Sequence, residues 1–327
     1  MLEIILIIVI LAVFFDVSNG WNDSANAIAT VVSTRALSPL KAVILAAVMN
    51  ILGAFAFTAV AKTIGSGIVS PTAVTDTVVI ATLVTATLWN TVMTKFGMPI
   101  SCSHALIGGL IGASIAHGGA GILNVSGLTK IFLSLLISPF VGLLLGYLFM
   151  KLLILVFGQF PPGKLNLHFG RLQILSSACM AFSHGSNDAQ KAMGIITLSL
   201  VSGGFLQSLE VPFWVILTCA LAMGTGTALG GWRVIKTLGV NMLKLEPIHG
   251  FAAETSAAAT ILISSIFGLP VSTTHVVTTS IMGVGSTRRF SAVRWGLAGK
   301  ILTAWIFTLP ICFAAGWLIA ELFLFIA

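Results

Sequence analysis

This chain is short of charge. Of its 327 residues, 16 are Lys or Arg and only 9 are Asp or Glu, 8% in all. A soluble domain carries about 25%, so a surface facing water on all sides is excluded. The apolar fraction is 57% and the mean hydropathy is +1.09. Cysteine is scarce as well: Cys102, Cys179, Cys219 and Cys312 lie scattered in apolar segments. That spacing excludes a cysteine-based zinc site, and the four read as small buried hydrophobes. The strand that a phosphate loop requires is missing before Gly224-Thr225-Gly226-Thr227, which therefore reads as close helix packing. The net charge of +7 follows the membrane topology derived below, and no nucleic-acid partner is expected.

What is present is apolar runs near or above the roughly 20 residues that span a bilayer, distributed along the whole chain. The first run is followed by no small-residue cleavage site and reads as a span rather than a signal peptide. Within these runs one motif occurs twice. Ser18-Asn19-Gly20-Trp21-Asn22-Asp23 and Ser183-His184-Gly185-Ser186-Asn187-Asp188 share Ser-x-Gly-x-Asn-Asp at an offset of 165, with Ala27 against Ala192. An acid inside an apolar run is costly and marks a partner or a task.

A second pair reinforces the first. Phe96-Gly97-Met98-Pro99-Ile100-Ser101-Cys102-Ser103-His104 aligns with Phe267-Gly268-Leu269-Pro270-Val271-Ser272-Thr273-Thr274-His275, and Gly112 with Gly283, at an offset of 171. Two homologous halves, 1–157 and 165–327, are predicted, joined by a turn-rich cytoplasmic linker over 158–164.

Gly-x-Pro-x-Ser breaks a helix, so each of the second pair is either a loop between two spans or the tip of a re-entrant hairpin. Charge placement selects the hairpin. Counting from an outside N-terminus, segments 4–34, 42–61 and 131–150 cross in the first half. In the second half 172–200, 211–232 and the last apolar run cross. Twelve of the 16 Lys and Arg then fall inside, Lys62 and Lys130 fall outside, and Lys95 and Lys191 lie at membrane depth. That bias is what the positive-inside rule expects. Three crossings per half place the halves in opposite orientation, and inverted repeats with broken helices mark secondary transporters with a midplane site.

The first segment is longer than a bilayer needs, and Ser18 to Ser24 is expected to interrupt it. Asn22, Asp23 and Asn26, with Asn187 and Asp188 in the second copy, offer the hard oxygens that small hard cations take. Ser101, Cys102 and Ser103, and Ser272, Thr273 and Thr274, each open an apolar helix. Free N–H groups plus hydroxyls there suit an anion without a lysine. Matched acids and matched anion-type caps point to cation-coupled anion symport, with Asp23 and Asp188 holding cations. His104 and His275 either relay protons or pack. Lys191 either pairs with Asp188 or touches substrate. Glu254, opposite Leu83, is either a polar contact or a coupling residue, and Asp76 and Glu210 read as solvated. An intramembrane aspartyl protease would need two acids sharing a proton and gives no reason for paired caps, so no enzyme is expected.

These residues resemble the inorganic phosphate transporter family, which includes sodium–phosphate symporters and bacterial low-affinity phosphate permeases. Gly20-Trp21-Asn22-Asp23-Ser24-Ala25-Asn26-Ala27 is similar to the family's Gly-x-Asn-Asp-x-x-Asn-Ala signature, Gly185-Ser186-Asn187-Asp188-Ala189-Gln190-Lys191 to its second copy, and both Pro-x-Ser-x-x-His tips match. The resemblance implies inverted repeats, external termini and phosphate as substrate. The chain departs at Asn50, where eukaryotic members tend to carry glutamate, and in lacking their long soluble insertion; some relatives carry sulfate. The expectation is an all-α polytopic protein of the inner (plasma) membrane, built as two inverted-topology repeats, each with a broken first helix and a re-entrant hairpin. Its partners are inorganic phosphate, sodium ions and the lipid bilayer, with no other cofactor, and a homodimer is compatible with its size. Sodium is favoured over protons because the Asn-Asp pairs supply several neutral oxygens. Proton or metal coupling, and sulfate as the anion, are the alternatives.

Overall fold

The structure is a computed structural model that describes residues 2–70 and 73–326. The first half holds α1 (Leu2–Ser33), α2 (Pro39–Ala54), α3 (Ala59–Gly67), α4 (Asp76–Phe96), α5 (Cys102–Gly118) and α6 (Val125–Phe157). The second holds α7 (Pro162–Ser202), α8 (Phe213–Leu229), α9 (Trp232–Lys236), α10 (Pro247–Ile266), α11 (Thr273–Ser286) and α12 (Trp295–Ile326). Among the described residues there is no strand, only an isolated bridge between Val69 and Leu123.

Element order repeats between the halves down to its punctuation. A 3₁₀ turn precedes each last helix, at Ala120–Ile122 and Phe290–Ala292, and each last helix carries an internal proline, Pro139 or Pro310. α4 ends on Gly97 at φ 70°, and the turn after α10 holds Gly268 at φ 66°. This left-handed conformation favours glycine.

Among the described residues, four helices are each long and apolar enough to cross a membrane: α1, α4, α6 and α12. The expected crossings 42–61 and 211–232 are not straight. α2 and α3 meet at 68°, and α8 meets the stretch Trp232–Asn241 at 62°; each bent pair passes the same test together. Large apolar side chains such as Leu136, Phe140, Leu155, Ile306 and Phe325 are exposed on α6 and α12, the surface a lipid-facing helix presents. These helices make the chain an integral membrane protein.

The halves interlock. α12 packs on α5 and α6 on α11, while α1 packs on α8 and α2 on α7. The crossings are close because they are made through glycine. A Cβ on Gly20 would sit 2.5 Å from Met223 O and one on Gly226 2.2 Å from Val17 O; on Gly185 it would be 2.2 Å from Asn50 O, and on Gly53 2.0 Å from Phe182 O.

Two apolar cores result. α1 contributes Ile5 to Phe15 to one and Ala25 to Val31 to the other, whereas α7 meets the second core first, with Phe169 to Ala181, and then the first, with Ala189 to Leu200. The polar stretches of both helices fall at the boundary between the cores.

The expected break in the first helix of each half is corrected: α1 and α7 run unbroken through both motifs. Neither motif contains proline, so the backbone ladder survives. The serines satisfy themselves on the preceding turn, with Ser18 Oγ donating to Phe15 O (2.7 Å), Ser24 to Trp21 O (3.0 Å), Ser183 to Cys179 O (2.8 Å) and Ser186 to Ser183 O (2.8 Å). The glycines serve the helix crossings.

Candidate functional site

Both Pro-x-Ser segments are buried turns between helices. Their backbone, irregular in a membrane-spanning bundle, is satisfied by protein groups as it must be. Trp305 Nε1 of α12 donates to Pro99 O (3.0 Å), and Ser134 Oγ of α6 donates to Pro270 O (2.6 Å). Residue 134 is the counterpart of 305, so each tip is held by the last helix of the other half.

The motif asparagines hold the same tips from below. Asn22 Nδ2 donates to Thr94 Oγ1 (2.8 Å) and Met98 O (3.5 Å). Asn187 Nδ2 donates to the equivalent Ser265 Oγ (3.1 Å) and Leu269 O (3.3 Å). Each therefore ties its helix to the hairpin of its own half. Asn22 Oδ1 is buried and unpartnered, whereas Asn187 Oδ1 accepts from Val271 N (3.4 Å).

The aspartates meet at the centre. His184 Nε2 lies 3.7 Å from Asp23 Oδ2 and 3.5 Å from Asp188 Oδ2, and ligand atoms of the three lie within 4.8 Å of one another, close enough to share a metal ion. His184 Nδ1 is 2.8 Å from Asn50 Oδ1, and Asn50 Nδ2 donates to Thr227 Oγ1 (2.9 Å), so the imidazole is oriented by a partner on α2. Lys191 Nζ sits 2.7 Å from Asp188 Oδ1. Every one of these side chains is buried.

Both tips close over this cluster. Thr273 Oγ1 lies 3.1 Å from Asp23 Oδ2 and 3.2 Å from Asp188 Oδ2, and Thr274 Oγ1 donates to Asp23 Oδ1 (3.0 Å). Asn26 Nδ2 donates to Thr274 Oγ1 (3.1 Å), with its Oδ1 left buried and unpartnered. From the first tip, Cys102 Sγ reaches Asp23 Oδ1 at 3.8 Å. Ser103 Oγ instead donates to Val271 O (2.8 Å) and links the two tips. Ser101 and Ser272 cap their helices by accepting from His104 N (3.1 Å) and His275 N (3.3 Å). The first two N–H groups of α5 and α11 have no intrahelical acceptor, so two positive helix ends face two carboxylates and one ammonium.

Of the remaining candidates, Lys191 pairs with Asp188. His104 and His275 pack together with ring centroids 4.9 Å apart, and His275 stacks on Trp305 at 3.8 Å. Glu254 accepts from Thr30, Ser176 and Gln173 (the last at 3.1 Å) and has no cationic partner among the described residues. Glu210 is exposed and Asp76 partly so. The residues 165-offset matching passes over are His184, Gln190 and Asp16, because their counterparts are Asn19, Ala25 and Ala181. Gln190 Oε1 accepts from Val60 N (2.8 Å) and Ala61 N (3.1 Å) at the start of α3, while Ser24 Oγ accepts from Gly231 N (2.7 Å) at the start of α9.

This arrangement can be set beside known proteins. A family model described as "Phosphate transporter family" matches residues 19–316. The chain is 45% identical, over 97% of its length and 96% of the relative's, to a protein of Bacillus subtilis named "Probable low-affinity inorganic phosphate transporter". A Rhizobium meliloti protein of the same name is 46% identical over 93% of this chain and 91% of its own. A solved structure titled "The sodium-dependent phosphate transporter" superposes with a TM-score of 0.93 at 26% identity, over 99% of this chain and 100% of that one. These proteins are transporters rather than enzymes, and the chain belongs to the phosphate transporter family.

Proposed function

We propose that the protein is a symporter that moves inorganic phosphate across the cytoplasmic membrane by alternating access, driven by a cation, with sodium as that cation. The observation that carries this reading is the convergence of Asp23, His184 and Asp188 directly beneath two helix N-termini. A cation held by Asp23 would neutralise the one carboxylate that Lys191 does not, and an anion could then settle on Cys102, Ser103, Thr273 and Thr274 in a site no longer negative. Asn22 and Asn26 each keep a free buried oxygen that suits a bare hard cation. In the second half Asn187 Oδ1 already accepts from Val271 N and Asp188 is paired with Lys191, so the cation expected there from the sequence has a weaker ligand set than the one at Asp23. The likeness to a structure titled as sodium-dependent supports sodium over the proton.

The geometry refines the count of cations. Two sodium ions, one for each aspartate, balance the sequence alone, but Lys191 already neutralises Asp188. One cation at Asp23 suffices in this conformation. The opposite order in which α1 and α7 traverse the two cores supports halves of opposite orientation, and the excess of Lys and Arg on one side supports 158–164 as cytoplasmic and both termini as outside.

Uptake of labelled phosphate into proteoliposomes, with and without an inward sodium gradient, tests the reading directly. Sodium should raise the initial rate, and a rate indifferent to sodium would overturn the choice of ion. Thiols engineered near Gly119 and Gly204 should react from outside, and those near Lys164 and Lys236 should not. Reaction of all four from one side would overturn the inverted orientation.

A further inference from the structure

Basic residues gather where the second hairpin begins and ends. Lys244 precedes α10, and Arg288 and Arg289 follow α11. All three are exposed and line one cavity of about 360 Å³, with His249, Leu243 and Ala292 on its walls. Among the described residues no carboxylate lines it. Glu246 Oε1 lies 3.8 Å from Arg288 Nη1, an exposed contact that holds the guanidinium only weakly.

Hydrogen bonds fix the walls of this hollow. Arg294 donates from Nη1 to Asn241 O (3.1 Å) and from its backbone N to Met242 O (3.2 Å), which ties the chain carrying Lys244 to the loop after α11. Trp295 holds that loop by stacking on Phe290 at 4.2 Å and donating from Nε1 to Phe290 O (2.8 Å). Glu246 N donates to His249 Nδ1 (3.2 Å), so in the neutral imidazole Nε2 carries the proton.

The rule that collects lysine and arginine on one side of a membrane accounts for their number here, not for their convergence on one cavity. Like charges so placed repel one another until an anion joins them. A single guanidinium already fills the two oxygens of a carboxylate. A phosphate group offers three acceptor oxygens and about two negative charges, enough for two guanidiniums and an ammonium. The volume lies at the lower end of small-molecule sites, about 300–1,000 Å³, and so suits a phosphate on a small organic body better than a bare ion. The first half has no such cluster: at the offset of 171 stand Ala73, Val78, His117 and Gly118.

We propose that this cavity binds a phosphate monoester, carried by a small soluble molecule or by a lipid headgroup, and that the occupant clamps the foot of the α10–α11 hairpin. It joins Lys244 before the hairpin to Arg288 and Arg289 after it. The tip of the same hairpin places Thr273 and Thr274 on Asp23, and opening the site requires that tip to move, so a clamped foot slows transport. On the orientation proposed above the foot faces the cytoplasm. Phe160 of the segment 158–164 shares an adjoining cavity of about 330 Å³ with His249 and Arg288, which puts the foot and that segment on one side. The clamp, unlike the binding, rests on the transport reading.

Thermal unfolding of the detergent-solubilised protein tests the binding, with glycerol 3-phosphate as the soluble probe and phosphatidic acid in mixed micelles as the lipid probe. At least one should raise the unfolding temperature of the wild type by a few degrees at saturation, and which one does so identifies the source. The shift should vanish when Arg288→Gln and Arg289→Gln are combined, shrink in Lys244→Gln and persist in Thr274→Ala. No shift with either probe would overturn the proposal. So would a shift lost in Thr274→Ala and kept in the double arginine variant, because the probe would then sit at the transport site. The clamp is read from phosphate uptake into proteoliposomes that enclose the soluble probe or contain the lipid one. The probe should slow the wild type several-fold and leave the rate of the double arginine variant unaltered. Equal slowing of both, or of neither, would overturn the clamp. Absence of uptake by the wild type without any probe would instead overturn the transport reading and leave the binding site standing.

Discussion

The two Asn-Asp motifs stand on the same scaffold and do different electrostatic work. Asn22 and Asn187 brace their hairpins through equivalent partners, Thr94 and Met98 against Ser265 and Leu269. The glycines before them make equivalent close crossings on α8 and α2. Charge, by contrast, is not repeated. Lys191 stands where the first copy has Asn26, His184 where it has Asn19, and Asp16 has only Ala181 opposite. The tip hydroxyls diverge too: Thr274 reaches Asp23 while its counterpart Ser103 reaches a carbonyl of the other tip. Symmetric positions carry the helix crossings and the braced tips. Asymmetric positions place Asp23, which no lysine or arginine meets among the described residues, next to Asp188, which is paired with Lys191.

The largest effect should come from breaking that asymmetry. Lys191→Met leaves Asp188 buried without its cation, and removing one partner of a buried pair costs about 3–5 kcal/mol. Thermal unfolding of the detergent-solubilised protein should show a marked loss, and adding Asp188→Asn should recover most of it. If Lys191→Met alone melts like wild type, the pair is not what neutralises Asp188.

Function should separate the two acids next. Asp23→Asn removes the charge that Thr273 and Thr274 face, and hydrogen bonds to charged groups are worth about 1.5–3 kcal/mol. Sodium affinity, read from the sodium dependence of phosphate uptake, should fall about ten- to a hundredfold. Asp188→Asn made together with Lys191→Met should fall less. Equal losses would mean that each aspartate holds its own cation.

The crossings give a third comparison. Gly185→Ala drives a methyl into Asn50 O and Gly20→Ala drives one into Met223 O, and overpacking of this kind costs about 1–3 kcal/mol. The Gly185 variant should lose more function for the same loss of stability, because Asn50 orients His184. Parallel losses in stability and uptake for both variants would remove Asn50 from the site.

Much of this was legible in the chain because helix breakers and repeats are local signals. Gly97-Met98-Pro99 and Gly268-Leu269-Pro270 mark their turns by backbone chemistry alone, and the similar offsets of 165 and 171 between the two motif pairs point to the same order of helices in each half. The continuity of α1 and α7 was misjudged because Ser, Asn and Gly read as breakers one by one. In the folded protein the serines bond within the helix and the glycines serve neighbours that only the fold brings near. Asp16 satisfied the same rule that singled out Asp23, an acid in an apolar run, but matching the halves hid it because it has no twin. Cross-half partners such as Gln190 on α3 and Ser134 on Pro270 depend on how the halves interlock, which no local pattern encodes.

The smallest effect tests the symmetric part. Asn22→Ala deletes two neutral hydrogen bonds to its hairpin and Asn187→Ala three, interactions worth about 0.5–1.5 kcal/mol apiece. If the asparagines serve only as braces, Asn187→Ala should lose somewhat more stability, and the two variants should keep the same sodium dependence. Asn22, however, has a free buried oxygen where Asn187 accepts from Val271 N. If that oxygen ligates the cation, Asn22→Ala should also weaken sodium dependence while Asn187→Ala leaves it near wild type. Measuring sodium dependence in both variants at saturating phosphate distinguishes the cases. A matched pair of curves would confine Asn22 to the frame, and a split would extend the asymmetry of the site to the one residue type on which the two halves otherwise agree.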